Sequence, residues 1–235
     1  MKILAVDSSS LVASVALVED EVLLGEITLN YKKKHSEKLV PMIQQLLEHI
    51  ELTPDNIDLF AAATGPGSFT GLRIGIMTVK SMAYAVDKPV AGVTTLDALA
   101  YNVHHFDGII CPIIDARNNQ VYSALYRYGG TLENISGYMA DDISIIISMI
   151  NNYGSNVVFV GDAVWLHKDR IIRQLGGKAK FVPGNLTVPR ASSVAHLAYK
   201  KALRNETMKS FDLVPFYLRK SQAERMLEEK KQNKK

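Results

Sequence analysis

A chain of 235 residues with 47% hydrophobic and 22% charged residues carries enough apolar material for one large core or two small ones, which excludes wholesale disorder. Its single cysteine, Cys111, excludes an intramolecular disulfide and a Cys-rich zinc module. The net charge is +3, but residues 219–235 hold seven Lys/Arg against three Glu, so the remaining body is at −1 and the basic balance is no fold-wide nucleic-acid footprint.

The first run, Lys2–Asp7, reaches a carboxylate after four apolar residues, too short for a secretory core. No apolar run approaches the roughly 20 residues that cross a bilayer, and a reducing cytoplasm is the expected setting. Lys2–Asp7, Leu11–Val18 and Glu21–Asn30 read as three strands joined by short polar breaks. A helix then follows Ser36, with Leu39, Met42, Ile43, Leu46, Leu47 and Ile50 at three- and four-residue spacing and Pro41 near its start. Ile57–Ala63 is a buried strand that runs into Gly65-Pro66-Gly67-Ser68-Phe69-Thr70-Gly71. The helix after it carries Leu72, Ile76, Val79 and Val86 on one stripe. Val90–Val93 is a short strand, and Thr94–His105 reads as helix.

The second half opens in the same way. Gly108–Ile114 is an apolar strand ending in Asp115, Gln120–Tyr128 alternates as one strand, and Thr131–Met139 is a third. Asp141 is positioned to cap a helix through Ile150, Val157–Val160 is a strand, and Asp162–Leu175 is helical. Lys180–Val182, a helix over Ala191–Leu203 and an extended Leu213–Leu218 complete the body. A shared βββαβα order in the two halves predicts a duplicated α/β unit, divided as 1–106 and 107–218, with 219–235 as a basic tail.

The Gly65–Gly71 loop is the most distinctive stretch. Between a buried strand and a helix N-terminus, its N–H groups and the helix dipole favour an anion. It matches neither the phosphate-loop register nor Gly-x-Gly-x-x-Gly, and glycines at 65, 67, 71 and 75 equally suit a tight strand-to-helix corner. Asp7 and Ser8, at the end of the first strand, either hold a metal–phosphate group with Gly65 and Gly67 or form a plain polar turn. Arg73 opposes the helix dipole and therefore calls for a specific partner. The six histidines include no His-x-x-x-His pair, so no metal site is expected, and Cys111 lies in an apolar run where an inert thiol belongs. No Gly-x-Ser-x-Gly elbow is present. Tyr122, Tyr126 and Tyr128 could stack bases but have only Arg127 interleaved among them, so covering a sheet is the simpler role.

Gly65-Pro66-Gly67-Ser68-Phe69-Thr70-Gly71-Leu72-Arg73-Ile74-Gly75 resembles the TsaB (YeaZ) family, and the likeness extends to Ile3–Ser9, His35-Ser36-Glu37, Asp115-Ala116-Arg117 and Pro215–Arg219. Asn118 and Asn119 depart from the Arg-x-Glu type of sequence common after Asp-Ala-Arg in that family. The resemblance implies the actin-like ATPase (ASKHA, Hsp70/sugar-kinase) fold with two duplicated lobes. It also implies a role with TsaD and TsaE in placing threonylcarbamoyl on N6 of adenosine 37 of ANN-decoding tRNAs. TsaD carries two metal-binding histidines where Thr95 and Leu99 stand here, and neither is a useful ligand. The resemblance therefore implies a non-catalytic scaffold without a cofactor, whose first-lobe helices meet TsaD through His35, Leu39, Met42, Ile43, Phe69, Arg73, Ile74 and Met77. Without TsaD the same surface would pair two copies of the chain as a homodimer. A stand-alone actin-like nucleotide-binding ATPase or protease is the alternative, and a tail-driven RNA-binding module ranks last.

Overall fold

The computed structural model describes residues 1–31 and 35–219, without the side chain of His35. In the first half, β1 (Lys2–Asp7), β2 (Val12–Glu19) and β3 (Val22–Asn30) form an antiparallel meander. Then come α1 (His35–His49), β4 (Leu59–Gly65), α2 (Phe69–Ala85), β5 (Val90–Thr94) and α3 (Thr95–Tyr101). The strands make one sheet in the order β3-β2-β1-β4-β5, with β4 parallel to both β1 and β5. The second half contains β6 (Ile109–Asp115), β7 (Gln120–Ser123), β8 (Tyr126–Tyr128), β9 (Leu132–Asn134) and β10 (Met139–Asp142). It continues through α4 (Ile143–Tyr153), β11 (Val157–Val160), α5 (Val164–Leu175), β12 (Ala179–Phe181) and α6 (Ala191–Leu203). Its sheet runs β10-β7-β6-β11-β12, so each strand takes the place of its counterpart in the first sheet, and the expected duplication is visible as topology.

Alternation along the strands explains why both faces of each sheet are covered. On β1, Leu4 and Val6 face a core shared with α1 and α2, while Ile3 and Ala5 face the opposite side. On β6, Ile109, Cys111 and Ile113 pack toward α4 and α5, and Ile110 and Ile114 toward the other side. The helices on those second faces are exchanged. Ala191, Val194, Ala195 and Ala198 of α6 bury against Ile3, Ala5, Ala16, Leu59 and Ala61 of the first sheet. Leu96, Leu99 and Ala100 of α3 bury against Ile110, Ile114, Val158 and Val160 of the second. A stripe of alanines lets α6 lie close to a sheet whose facing residues are also small, and burying Val194 contributes about 1.5–3 kcal/mol.

Chain from the 107–218 segment therefore also covers the first sheet. Residues 191–213 belong by packing to the first sheet, since Leu213 also sits in the α1/α2 core and Met208 bridges Val90. The single strand expected over 120–128 is broken, because β6 pairs with β7 at Ile113–Asp115 and with β8 only at Ile110. Pro112 lies between these contacts and has no N–H to donate, and the Ser123 hydroxyl serves its carbonyl at 2.8 Å. Thr131–Met139 is also split, where Asn134 Oδ1 accepts from the N–H groups of Ser136 (3.2 Å) and Gly137 (2.8 Å) in a tight turn. Asp142, not Asp141, caps α4 by accepting from Ser144 N at 2.8 Å. The helix expected to reach His105 ends at Tyr101, and Leu213–Leu218 joins no sheet.

A short hydrogen bond ties α3 to the second half. Tyr126 on β8 donates its hydroxyl to Asp97 Oδ1 on α3 at 2.6 Å, and burial beside that carboxylate holds the phenol protonated by raising its pKa well above 10.0. Tyr126→Phe leaves the packing intact and removes a bond to a charged acceptor. A loss of about 1.5–3 kcal/mol is expected in urea unfolding followed by circular dichroism.

Candidate functional site

The glycine loop turns β4 into α2. Ser68 caps the helix, its Oγ accepting from Gly71 N at 3.2 Å, and Gly65 sits at φ +116°, which only glycine adopts without strain. Facing it is the turn after β1, where Asp7 Oδ1 accepts from both Ser9 N (2.9 Å) and Ser9 Oγ (2.6 Å). The two segments are joined directly. Ser8 Oγ donates to Gly71 O at 2.8 Å, and Ser68 N donates to Ser9 O at 2.7 Å. A Cβ on Gly67 would strike Ser9 O, one on Gly71 would strike Ser8 O, and one on Gly75 would strike Ser8 Oγ. Ser8 and Ser9, beside Asp7, thus lie against Gly67 and Gly71, while Gly65 faces Phe216 and Leu72, and backbone of the β1–β2 turn fills the room above the loop. Of the two readings open for these glycines, the geometry is that of a packed corner.

A C-terminal strap closes the corner from the other side. Lys80 Nζ, on α2, donates to Phe211 O (2.9 Å) and Leu213 O (3.1 Å), and Phe216 N donates to Thr64 O at 2.8 Å. Phe69 stacks on Tyr217 with centroids 4.4 Å apart, and Arg73 Nε donates to the Tyr217 hydroxyl at 2.9 Å. That phenol is the specific partner Arg73 required. Arg219 reaches Ala116 O at 3.2 Å in the second half. Sequence reasoning missed Lys80 and Tyr138, and met Tyr217 only within the Pro215–Arg219 likeness. Lys80 left a trace, as a lysine beside the apolar stripe of α2.

The expected interface residues separate into two groups. Leu39, Met42 and Ile43 are fully buried in the chain's own core with Leu17, Phe60 and Val79, which removes them from any surface. The reason is that α1 lies on the sheet with that face inward. Ile74 is half-buried against the same core, and Phe69 is half-buried under the strap. Arg73 is exposed, and Met77 is 56% exposed on the outward side of α2. Tyr84, two turns further along, is exposed and meets the edge of exposed Phe211 at 5.0 Å, with exposed Val214 on the same strap. The side chain of His35 and the tail at 220–235 lie outside the described residues.

Elsewhere, titratable groups are spent on packing. Thr95 is buried with no hydrogen-bond partner for its hydroxyl among the described residues, and Leu99 is buried in the α3 interface. Burial pushes the Cys111 thiol up to about 12, making it unreactive at neutral pH. His104 stacks on Tyr101 (4.3 Å) and lies beside His105, and burial holds its pKa below 6.5. Among the described residues no three His, Cys, Asp or Glu side chains are grouped to share an ion, and no helix is long and apolar enough to cross a membrane.

Comparison with known proteins agrees with this geometry. A family model described as TsaD, tRNA N6-adenosine threonylcarbamoyltransferase, matches residues 22–227. The tRNA threonylcarbamoyladenosine biosynthesis protein TsaB of Bacillus subtilis is 36% identical over 95% of this chain and 96% of its own length. A crystal structure from Pseudomonas aeruginosa, of a protein with similarity to peptidase YEAZ, superposes with a TM-score of 0.81 at 26% identity, covering 93% of this chain and 99% of that one. A ROK hexokinase from Thermus thermophilus shares the fold alone, with a TM-score of 0.50 at 11% identity over 86% of this chain and all of that one. The actin-like, sugar-kinase architecture expected from the sequence is therefore the one observed.

Two predictions follow from the corner and the histidine cluster. Helix propensity alone would make Gly71→Ala stabilising by about 1 kcal/mol, whereas contact with Ser8 O should make it destabilising by about 1–3 kcal/mol. Gly129→Ala, in open space, serves as the neutral control in the same thermal melts. The folded chain resists protonating His104, so the unfolded chain takes up that proton first as pH falls below 6.5. Stability is complete above that value and declines below it, and His104→Gln should flatten the slope of unfolding free energy between pH 7 and pH 5.5.

Proposed function

The chain belongs to the TsaB (YeaZ) family, within the wider TsaD group, and on that premise we propose that it acts in tRNA threonylcarbamoyladenosine biosynthesis as a non-catalytic scaffold that binds and activates TsaD. The observation that carries this reading is the outward side of α2 with its strap, where Met77, Tyr84, Phe211 and Val214 stay exposed although the opposite side of the helix, with Leu72, Ile76 and Val79, already serves the core. TsaD, working with TsaE, would transfer threonylcarbamoyl to N6 of adenosine 37 of ANN-decoding tRNAs. The present chain would stabilise the productive state of TsaD by binding it preferentially. In the absence of TsaD the same surface would pair two copies in a two-fold homodimer.

Two features support a helper over a stand-alone ATPase or protease. Ser8 and Ser9 occupy the space above the glycine loop, and buried Thr95 and Leu99 replace the imidazoles that a metal-dependent relative uses. Reconstitution tests the proposal. Omitting the chain should abolish tRNA modification by TsaD and TsaE, and the chain alone should modify nothing. The double variant Met77→Glu/Tyr84→Glu should melt within about 1.5 kcal/mol of the parent, because both side chains are exposed and only the Tyr84–Phe211 contact is lost. It should nevertheless weaken TsaD binding tenfold or more in calorimetry. Full activity without the chain, or micromolar binding of ATP with Mg²⁺ by the isolated chain, would overturn the reading.

A further inference from the structure

A cavity of about 230 Å³ opens where the exchanged helices cross, and none of its lining residues belongs to α2 or to the glycine loop. Its lining combines two chemistries. Val93, Leu132 and Leu197 supply an apolar wall, and Tyr126 and Tyr138 line it together with Asp97, to which both donate their hydroxyls. At its α6 side stand Lys200, Lys201 and Arg204.

The charges do not cancel internally. Asp97 is the one carboxylate on the lining, and its oxygens are already engaged by the tyrosines, at 2.6 Å from Tyr126 and 3.1 Å from Tyr138. Lys200 lies over the Tyr101 ring at 4.9 Å, and neither Lys200 nor Lys201 has a carboxylate partner among the described residues. Arg204 pairs with Glu206 at 3.0 Å, outside the lining. Lysines in a last helical turn complement the helix dipole. That benefit does not account for a concave surface with a third cation beyond the helix end. In a body of net charge −1, Lys200 and Lys201, with Arg204 offset by Glu206, leave the α6 side of the hollow locally positive.

We infer that this hollow is a binding site for a small organic anion, a phosphate monoester or carboxylate of a few carbons carrying a hydroxyl. The anionic group meets Lys200, Lys201 and Arg204, the carbon skeleton lies on Val93, Leu132 and Leu197, and the ligand hydroxyl bonds the tyrosine oxygens. Drug-sized ligands fill pockets of about 300–1,000 Å³, so this volume suits a metabolite and not a dinucleotide. Because α6 rests on the first sheet while Tyr126 and Leu132 belong to the second half, a bound anion holds the two halves together.

Isothermal titration of the full chain with glycerol 3-phosphate and, separately, with malate tests the site and distinguishes phosphate from carboxylate. At least one should bind with a Kd below about 1 mM. Lys201→Glu/Arg204→Glu should weaken it tenfold or more, while Lys178→Glu/Lys180→Glu, the same charge change on another surface, leaves it unaltered. In parallel, amide resonances of Thr131, Leu132 and Asn134 in the unmodified chain should shift on titration, which keeps the test valid if the charge-reversed variant does not fold. Failure of both anions to bind, equal weakening by the two charge-reversal pairs, or shifts confined to other residues would overturn the site. Binding of an RNA oligomer but of neither anion would do the same.

Discussion

Each sheet in this molecule has two apolar faces and only enough local helix for one of them, so each borrows cover from the other half of the chain. α6 is supplied to the first sheet and α3 to the second, and the two deliveries are interdependent because they cross beside the same Asp97–Tyr126 bond. Duplicated architecture would ordinarily suggest two units that fold alone. Here, separating the halves would uncover Ile3, Ala5 and Leu59 on one sheet and Ile110, Val158 and Val160 on the other. The expected behaviour is a single cooperative transition, and the relative placement of the halves is set by core packing more than by surface contacts.

The glycine corner shows how a shape suited to anions can be turned inward. A strand, a glycine-rich turn and a helix N-terminus supply donors in the arrangement that other proteins offer to phosphate. In this chain Ser9 O takes the Ser68 N–H and Ser8 and Ser9 fill the space, while Gly65, Gly67 and Gly71 mark points where backbone approaches backbone and Gly75 one where the Ser8 hydroxyl does. The fold alone therefore says little about chemistry, and the function rests on which surfaces remain uncommitted. The outward side of α2 is one such surface.

Much of the fold was legible in the chain because the apolar runs have clear periods. β1, β11 and α6 follow directly from their patterns, and the repeated element order pointed to duplication before any pairing was known. What escaped depended on partners distant in sequence. The interface assignment of Leu39, Met42 and Ile43 failed because an amphipathic stripe reveals that a face is buried without revealing by what. The strap was unreadable because its hydrogen bonds run to Thr64, Arg73 and Lys80, across more than a hundred residues, and it has no period of its own. The break after Ser123 had a local signal in Pro112, whose significance depended on knowing which strand lay opposite.

The burial of Cys111 has a practical corollary. The chain's sole sulfhydryl is sealed between β6 and the α4/α5 layer, with its proton held tightly, so maleimide and nitroxide reagents should pass it by. A cysteine engineered anywhere on the exterior would then take up a probe stoichiometrically without first deleting the native one. The molecule is in this respect already prepared for distance spectroscopy between its lobes.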